Sequence, residues 1–223
     1  YRSPLLNADI LIHIGEVSGD LARINVGGVW RVNEDGMLRN TFGNLTRIFE
    51  MPERVFFSLY TPEKYEVRTN YYDACQQELK EAFAKLPELP FSNVWMAQQV
   101  HHKLPENSYF HMGIYNSLRS YNFFTLPKSV ISSCNVGGFG IDGGVSSLIG
   151  ASFAYPDKLH IGVFGDLAFF YDMNVCGNRH VGNNVRILLV NNGKGNEFRN
   201  YGHYCSILGE DADAVSYTHL TLP

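Results

Sequence analysis

No stretch of this sequence is apolar for long enough to cross a membrane as a helix, and none shows the charged, apolar and small-residue succession of a secretory signal. Positive charge is not in excess either. Lys and Arg number 18 against 22 Asp and Glu, for a formal net charge of -4 and a pI near 6.1, which gives no electrostatic footprint for nucleic acid or an anionic membrane. Cysteine is scarce and scattered. Cys75, Cys134, Cys176 and Cys205 form no C-x-x-C pair and have no histidine at zinc-site spacing, so they read as reduced thiols of a cytoplasmic protein. His101 and His102, neighbours on a predicted helix, point in different directions and do not make a ligand pair. What remains is a chain of 223 residues, 45% hydrophobic and 18% charged, that begins at Tyr1 without Met and is able to bury a core.

The most informative stretch is 160–195. An apolar run, 160–164, ends in Gly165-Asp166, a helix-compatible segment follows, and a second apolar run, 185–190, ends in Asn191-Asn192-Gly193. This is the pattern of strand, crossover helix and strand. Such crossovers are right-handed, so the strands run parallel and their carboxyl ends open on the same sheet edge. Neighbouring strands lie about 5 Å apart, which brings Asp166 and Asn192 within reach of one small cation. An anionic oxygen, an amide oxygen and a nearby backbone carbonyl make an incomplete octahedron of the kind Mg2+ completes with substrate phosphates. The helix start at Leu167 and Ala168 turns backbone N-H groups toward the same phosphates. Gly-Asp and Asn-Asn-Gly are also ordinary turn chemistry when taken singly; together they predict a magnesium and diphosphate site.

The rest of the chain reads as an α/β succession. Residues 1–88 carry a strand at 10–14, a loop with Ser18, Gly19 and Asp20, and a hairpin or tight loop at 29–39 around Asp35-Gly36. A strand at 55–60 and a helix at 71–85 complete this part. The Pro-punctuated 86–90 segment, LPELP, is the best boundary. Beyond it come a helix at 93–104 with Ser92 as N-cap, a strand at 109–114, a strand at 129–134 and a small, apolar helix at 145–155. Phe169, Phe170, Met173 and Val175 on the crossover helix read as core. The expected fold is therefore Rossmann-like: two domains, 1–88 and 91–214, each a parallel sheet flanked by helices.

The Gly-Asp and Asn-Asn pairs, closing successive strands about 25 residues apart, resemble the cofactor signature of thiamine diphosphate enzymes. Within that superfamily the runs GDL-x-F-x-x-D-x-N (165–174) and VNN-G-x-G-x-x-F (190–198) are most similar to the SEPHCHC synthases of the menaquinone pathway. The similarity extends loosely from about residue 7 to about residue 202. It implies thiamine diphosphate and Mg2+ as cofactors, with the metal held by Asp166, the Asn192 side chain and the Lys194 carbonyl, Lys194 standing where Gly is usual. It implies that Gly165, Asp166, Leu167 and Ala168 face the diphosphate, together with Asn116 and Ser117, for which an ordinary turn is the alternative. The segment 139–143 is similar to the family's S-G-I-D-G loop. There Gly140 and Ile141 would meet the cofactor, Ile141 as the apolar wedge that bends it; an ordinary core isoleucine is the alternative.

The resemblance further implies decarboxylation of a 2-oxoacid with transfer of the remaining unit. It also implies a homodimer or homotetramer with the site at the subunit interface, and an activating glutamate on an N-terminal domain that no segment here matches. Residues 1–88 would be the middle domain, either a spacer or a nucleotide binder, although no Gly-rich phosphate loop is visible in them. Val136 stands where the SEPHCHC synthases place a carboxylate-binding arginine, and Arg119 lies two residues after Ser117 rather than four. A related 2-oxoacid decarboxylase or carboligase is expected on that ground. Residues 215–223, VSYTHLTLP, resemble a translated sequencing adapter, so the second domain is expected to be incomplete; because the glutamate-bearing domain is not matched, the chain alone is expected to be inactive.

Two other readings are open. Residues 138–143 satisfy G-x-G-x-x-G between a strand and a helix, and Asp166 follows Gly143 by 23 residues, which suits a nicotinamide or flavin oxidoreductase. That reading leaves Asn191-Asn192 without a role. A regulatory subunit without catalysis is the third.

Overall fold

The structure is a computed structural model that describes residues 3–15, 25–64, 66, 70–136, 140–195 and 204–215. The chain divides into two compact units, Tyr1–Pro87 and Glu88–Pro223. Each is an α/β arrangement of a parallel sheet and helices, the second with a short antiparallel pair besides, Lys194–Gly195 against Ala214–Val215. The predicted loop residues Ser18, Gly19 and Asp20, the segments 137–139 and 196–203, and the tail from 216 lie outside the described residues. Among those described, no helix is long and apolar enough to cross a membrane.

In the first unit β1 (Asn7–Ile14), β2 (Asn25–Val32) and β3 (Leu45–Phe49) pair in parallel in the order β1-β2-β3. The hairpin considered for 29–39 does not form, because β2 pairs with parallel partners only. The reason is Arg31, which is fully buried. Its guanidinium meets both oxygens of Asp35 at 2.6 and 3.0 Å and the Met37 carbonyl at 3.1 Å, so the backbone wraps round the charge instead of returning as a strand. Gly36, at φ +58, makes the turn.

The predicted strand at 55–60 is a helix. α1 (Glu53–Tyr60) starts behind Pro52, with Glu53 in its first turn. Its aromatic run suggests a strand, but only Phe56 is buried, against Phe49 at 4.9 Å and its own i+4 neighbour Tyr60 at 4.7 Å. β3, which supplies Phe49, was not read from the sequence. α2 (Asn70–Ala84) matches the helix expected at 71–85.

The second unit opens with α3 (Asn93–Val100), where Ser92 Oγ accepts the Trp95 N-H at 3.2 Å, as its capping role predicts. The helix is shorter than expected, since the chain tightens into a 3-10 turn at His101–Lys103 before Leu104 enters the core. β4 (Tyr109–Met112), α4 (Asn116–Tyr121), β5 (Ile131–Cys134), α5 (Gly144–Ala154), β6 (His160–Gly165), α6 (Asp166–Asp172) and β7 (Val185–Val190) follow. The four strands of the main sheet are parallel in the order β5-β4-β6-β7.

Strand alternation splits the core between two clusters. Val163 packs with Ala97, Leu104, Phe110, Met112 and Tyr121, whereas its neighbour Phe164 packs with Val145, Leu148 and Ile149. Phe169 and Val175 join the second cluster as expected. Met173 does not: α6 ends at Asp172, and the following 3-10 turn leaves Met173 37% exposed.

Candidate metal and diphosphate site

The strand order sets the position of the site. From β4 the chain goes to β5 on one side and then to β6 on the other, so the direction of winding reverses between β4 and β6. In open α/β sheets a crevice opens at that point, beyond the carboxyl ends of the strands. A cavity of about 230 Å³ lies there, lined by residues that follow β4, β6 and β7 and by Ile141 ahead of α5.

β6 and β7 finish level, with Gly165 opposite Val190. Their next residues therefore meet. Asp166, 1% exposed, occupies the first turn of α6. Its Oδ1 accepts the Leu167 N-H at 2.9 Å, and its Oδ2 accepts the Gly193 N-H at 2.7 Å, which stitches the two strand ends together through one carboxylate. Gly193 sits at φ +70, a conformation that favours glycine, so the Asn191-Asn192-Gly193 turn places its N-H toward β6 cheaply. Asn192 Oδ1 accepts the Lys194 N-H at 3.3 Å, and Lys194 Nζ lies 3.5 Å from Asp213 Oδ2.

On the other flank, the Gly113 N-H donates to the Val163 carbonyl at 2.7 Å, which holds the end of β4 beside β6. The chain then turns through Tyr115 at φ +65 and ψ -117 into α4. A non-glycine residue there costs about 1–3 kcal/mol, strain of the kind that collects at ligand sites. The turn brings Asn116 and Ser117 to the cavity, and the Arg119 guanidinium lies over the Tyr115 ring, 5.4 Å from its centroid.

Asn116, Ser117, Ile141, Gly165, Asp166, Leu167, Ala168, Asn192 and Lys194 thus line one cavity. Gly140 is the one predicted residue that does not. Asn93, Ile114, Tyr115, Val190 and Gly195 also line it without having been singled out. Tyr115 could have been found from its place directly before Asn116-Ser117, and Val190 and Gly195 from the VNN-G-x-G run; Asn93 and Ile114 carry no local signal.

Three observations bear on whether a magnesium diphosphate group suits these residues. Asp166 is a buried carboxylate at a cavity wall, joined there by the Asn192 amide and residue Lys194. This supplies the hard oxygen donors that Mg2+ takes. Among the described residues no group of three or more His, Cys, Asp or Glu side chains converges, here or elsewhere, so a metal at this cavity would rest on one carboxylate with amide and carbonyl oxygens. Gly165 has ordinary dihedrals, φ -68 and ψ 157, and a Cβ there would touch nothing within 4 Å. Neither backbone nor packing demands glycine at that wall, so the bare backbone leaves room for a group that approaches it closely. One adjustment is needed: the Leu167 N-H is turned onto Asp166 and not toward the cavity.

The dinucleotide pattern fares differently. Gly138 lies outside the described residues, and Gly143, at φ +76, is the N-cap of α5. In a dinucleotide fold the glycine-bearing strand and the strand ending in the ribose acid are neighbours. Here β4 separates β5 from β6, so Asp166 sits two strands away. The polar residues of β5 and just beyond it have a different use: Ser133 Oγ meets His111 Nδ1 at 2.8 Å, and Asn135 Nδ2 donates to the Gly143 carbonyl at 2.9 Å and Ser147 Oγ at 3.0 Å. His111 is buried, its Nε2 finds no hydrogen-bond partner among the described residues, and this desolvation pushes its pKa below 6.5.

No family model matches the chain. Among curated proteins it is 37% identical over 177 residues to 2-succinyl-5-enolpyruvyl-6-hydroxy-3-cyclohexene-1-carboxylate synthase of Bacteroides fragilis, a match covering 76% of this chain and 30% of that protein. The protein of the same name from Phocaeicola vulgatus is 34% identical over 175 residues, covering 76% and 30%, and that from Bacteroides thetaiotaomicron 31% over 192 residues, covering 86% and 33%. Over most of its length the chain is therefore similar to about a third of the length of 2-succinyl-5-enolpyruvyl-6-hydroxy-3-cyclohexene-1-carboxylate (SEPHCHC) synthases.

Proposed function

We propose that this chain carries the magnesium and diphosphate half of a thiamine diphosphate site, in a SEPHCHC synthase-like enzyme that decarboxylates a 2-oxoacid and joins the remaining unit to an acceptor. The observation that carries the reading is the convergence of Asp166, Asn192, Lys194, Asn116, Ser117 and Ile141 on one cavity at the switch point of a parallel sheet. The name shared by the curated relatives supports it.

In this reading Asp166, the Asn192 amide oxygen and the Lys194 carbonyl hold Mg2+, while Asn116, Ser117 and the backbone at Gly165 and Ala168 receive the diphosphate. Ile141 is the apolar surface against which the organic part of the cofactor rests. When bound, thiamine diphosphate supplies the nucleophilic carbon and electron sink that decarboxylation needs. The chain's own residues bind and orient it. Val136 leaves the arginine position empty, so a carboxylate-bearing substrate has to be met by other cations, and Arg119 at Tyr115 is placed beside the cavity wall. The first unit is read as the middle domain of such an enzyme. The whole protein is read as a cytoplasmic homodimer or homotetramer whose partner subunit completes the site.

Thermal unfolding of the chain with separate ligands tests this. Thiamine diphosphate with Mg2+ raises the transition of the second unit by mass action, and NAD does not. A rise with NAD that is indifferent to Mg2+ would overturn the proposal in favour of the oxidoreductase reading.

A further inference from the structure

We infer that Asp172 is a positioning residue for the cofactor site: it caps α5 from outside and so ties the turn that carries Ile141 to the helix that begins with Asp166. The inference rests on the cofactor reading given under Proposed function.

The need for such a cap follows from Gly143. The first N-H groups of a helix have no partner within the helix and are usually met by a Ser, Thr, Asp or Asn side chain at the N-cap. At α5 the N-cap is Gly143, held at φ +76 where an L side chain is strained, and it has no side chain to offer. The missing acceptor comes from 26 residues further on. Asp172 Oδ2 accepts the Ser146 N-H at 2.6 Å, and Oδ1 accepts the Ser146 hydroxyl at 2.5 Å. Ser146 is the third residue of α5, the position whose N-H an N-cap side chain ordinarily satisfies. A carboxylate there also meets the positive end of an eleven-residue helix.

The two ends joined by this contact both lead to the cavity. Asp172 closes α6, whose first residue is Asp166; Ser146 stands in the first turn after Ile141, Asp142 and Gly143. Asn135, just after β5, fixes the same turn through the Gly143 carbonyl and Ser147 Oγ. With Asp172 in place, the wall holding Ile141 has a set distance from the wall holding Asp166. The metal and diphosphate groups, at the start of α6 and in the turn after β7, do not contact Ile141 and do not depend on that distance; the organic part of thiamine diphosphate, which Ile141 meets, does.

Calorimetric titration separates these contributions. The chain is titrated with thiamine diphosphate and, separately, with inorganic diphosphate, both with Mg2+. Asp172→Ala is expected to weaken thiamine diphosphate about tenfold, the scale of losing one helix cap, and to leave inorganic diphosphate within about twofold. Asp172→Asn, which keeps an oxygen for the Ser146 N-H, is expected to lose only about threefold, again for thiamine diphosphate alone, and serves if the alanine variant does not fold. Equal losses for both ligands, or none for either, would overturn the inference. A native chain that binds neither ligand would overturn the functional reading and this inference with it, whereas selective binding with no effect of Asp172 would overturn only the inference.

Discussion

Phe164, the residue before Gly165-Asp166, is fully buried in a socket formed by glycines. A Cβ added at Gly113 would stand 3.2 Å from its ring, at Gly144 3.0 Å, and at Gly162 2.4 Å, with Leu148 Cδ2 at 2.7 Å from the last. Unstrained carbon contacts lie at about 3.5–4.0 Å, so Gly162→Ala forces the ring and the Leu148 methyl back by roughly 1 Å. Neither has space to retreat, because Phe164 is 0% and Leu148 1% exposed. Overpacking of this kind costs about 1–3 kcal/mol, partly offset by the 0.5–1 kcal/mol or so that Ala gains over Gly in a strand, for a net loss of about 1 kcal/mol. Urea unfolding reads it. The sequence has 2 tryptophans, Trp30 in the first unit and Trp95 in the second, so a Trp30→Phe background makes fluorescence report on the second unit alone. With a slope of about 2 kcal/mol/M, the midpoint falls by about 0.5 M. Gly165→Ala is the control, with open space at its Cβ in the same strand, and is expected to be no less stable than the parent and up to about 1 kcal/mol more so. A Gly162→Ala midpoint within about 0.2 M of the parent would refute the socket argument.

Two further predictions concern protons. The Arg31 guanidinium, together with the Met37 N-H, holds the Asp35 carboxyl down from 3.8 to about 2. The folded state favours the ionised form, so this contribution is present above about pH 4 and is lost as pH falls through 2; acid unfolding of the first unit followed by Trp30 fluorescence should lose steepness in that window in Asp35→Asn, and an unchanged profile would contradict the pairing. His111, held neutral by burial, should titrate below 6.5 by NMR, and its contribution to stability is present above 6.5 and lost as pH falls toward its lowered folded value. A midpoint at or above 6.5 would mean that the ring is hydrated or has gained an acceptor.

Much of the site could be read from the sequence because its signals are local. Two apolar runs end in Gly-Asp and Asn-Asn, and parallel pairing with level ends then leaves few places for Asp166 and Asn192 other than side by side. The Ser92 cap was equally local. What could not be read depends on distant partners. The aromatic run in α1 looks like a strand until Phe49 of β3 is present to receive Phe56. The insertion of β4 between β5 and β6 removes the neighbour relation that made the glycine pattern look like a dinucleotide loop, and spacing along the chain does not encode it. The Asp172 cap joins residues 26 apart, and the sequence marks its need only through a glycine where a cap is expected.

The central claim is that Asp166 and its partners hold a metal-bound diphosphate. Calorimetry of the native chain with thiamine diphosphate, with Mg2+ and then with a chelator, tests it most directly, with Asp166→Ala run alongside. The account predicts binding with Mg2+, none with chelator, and a loss of about a hundredfold in the variant, the scale of removing a charged ligand group. Binding that persists in chelator with unchanged affinity would contradict it.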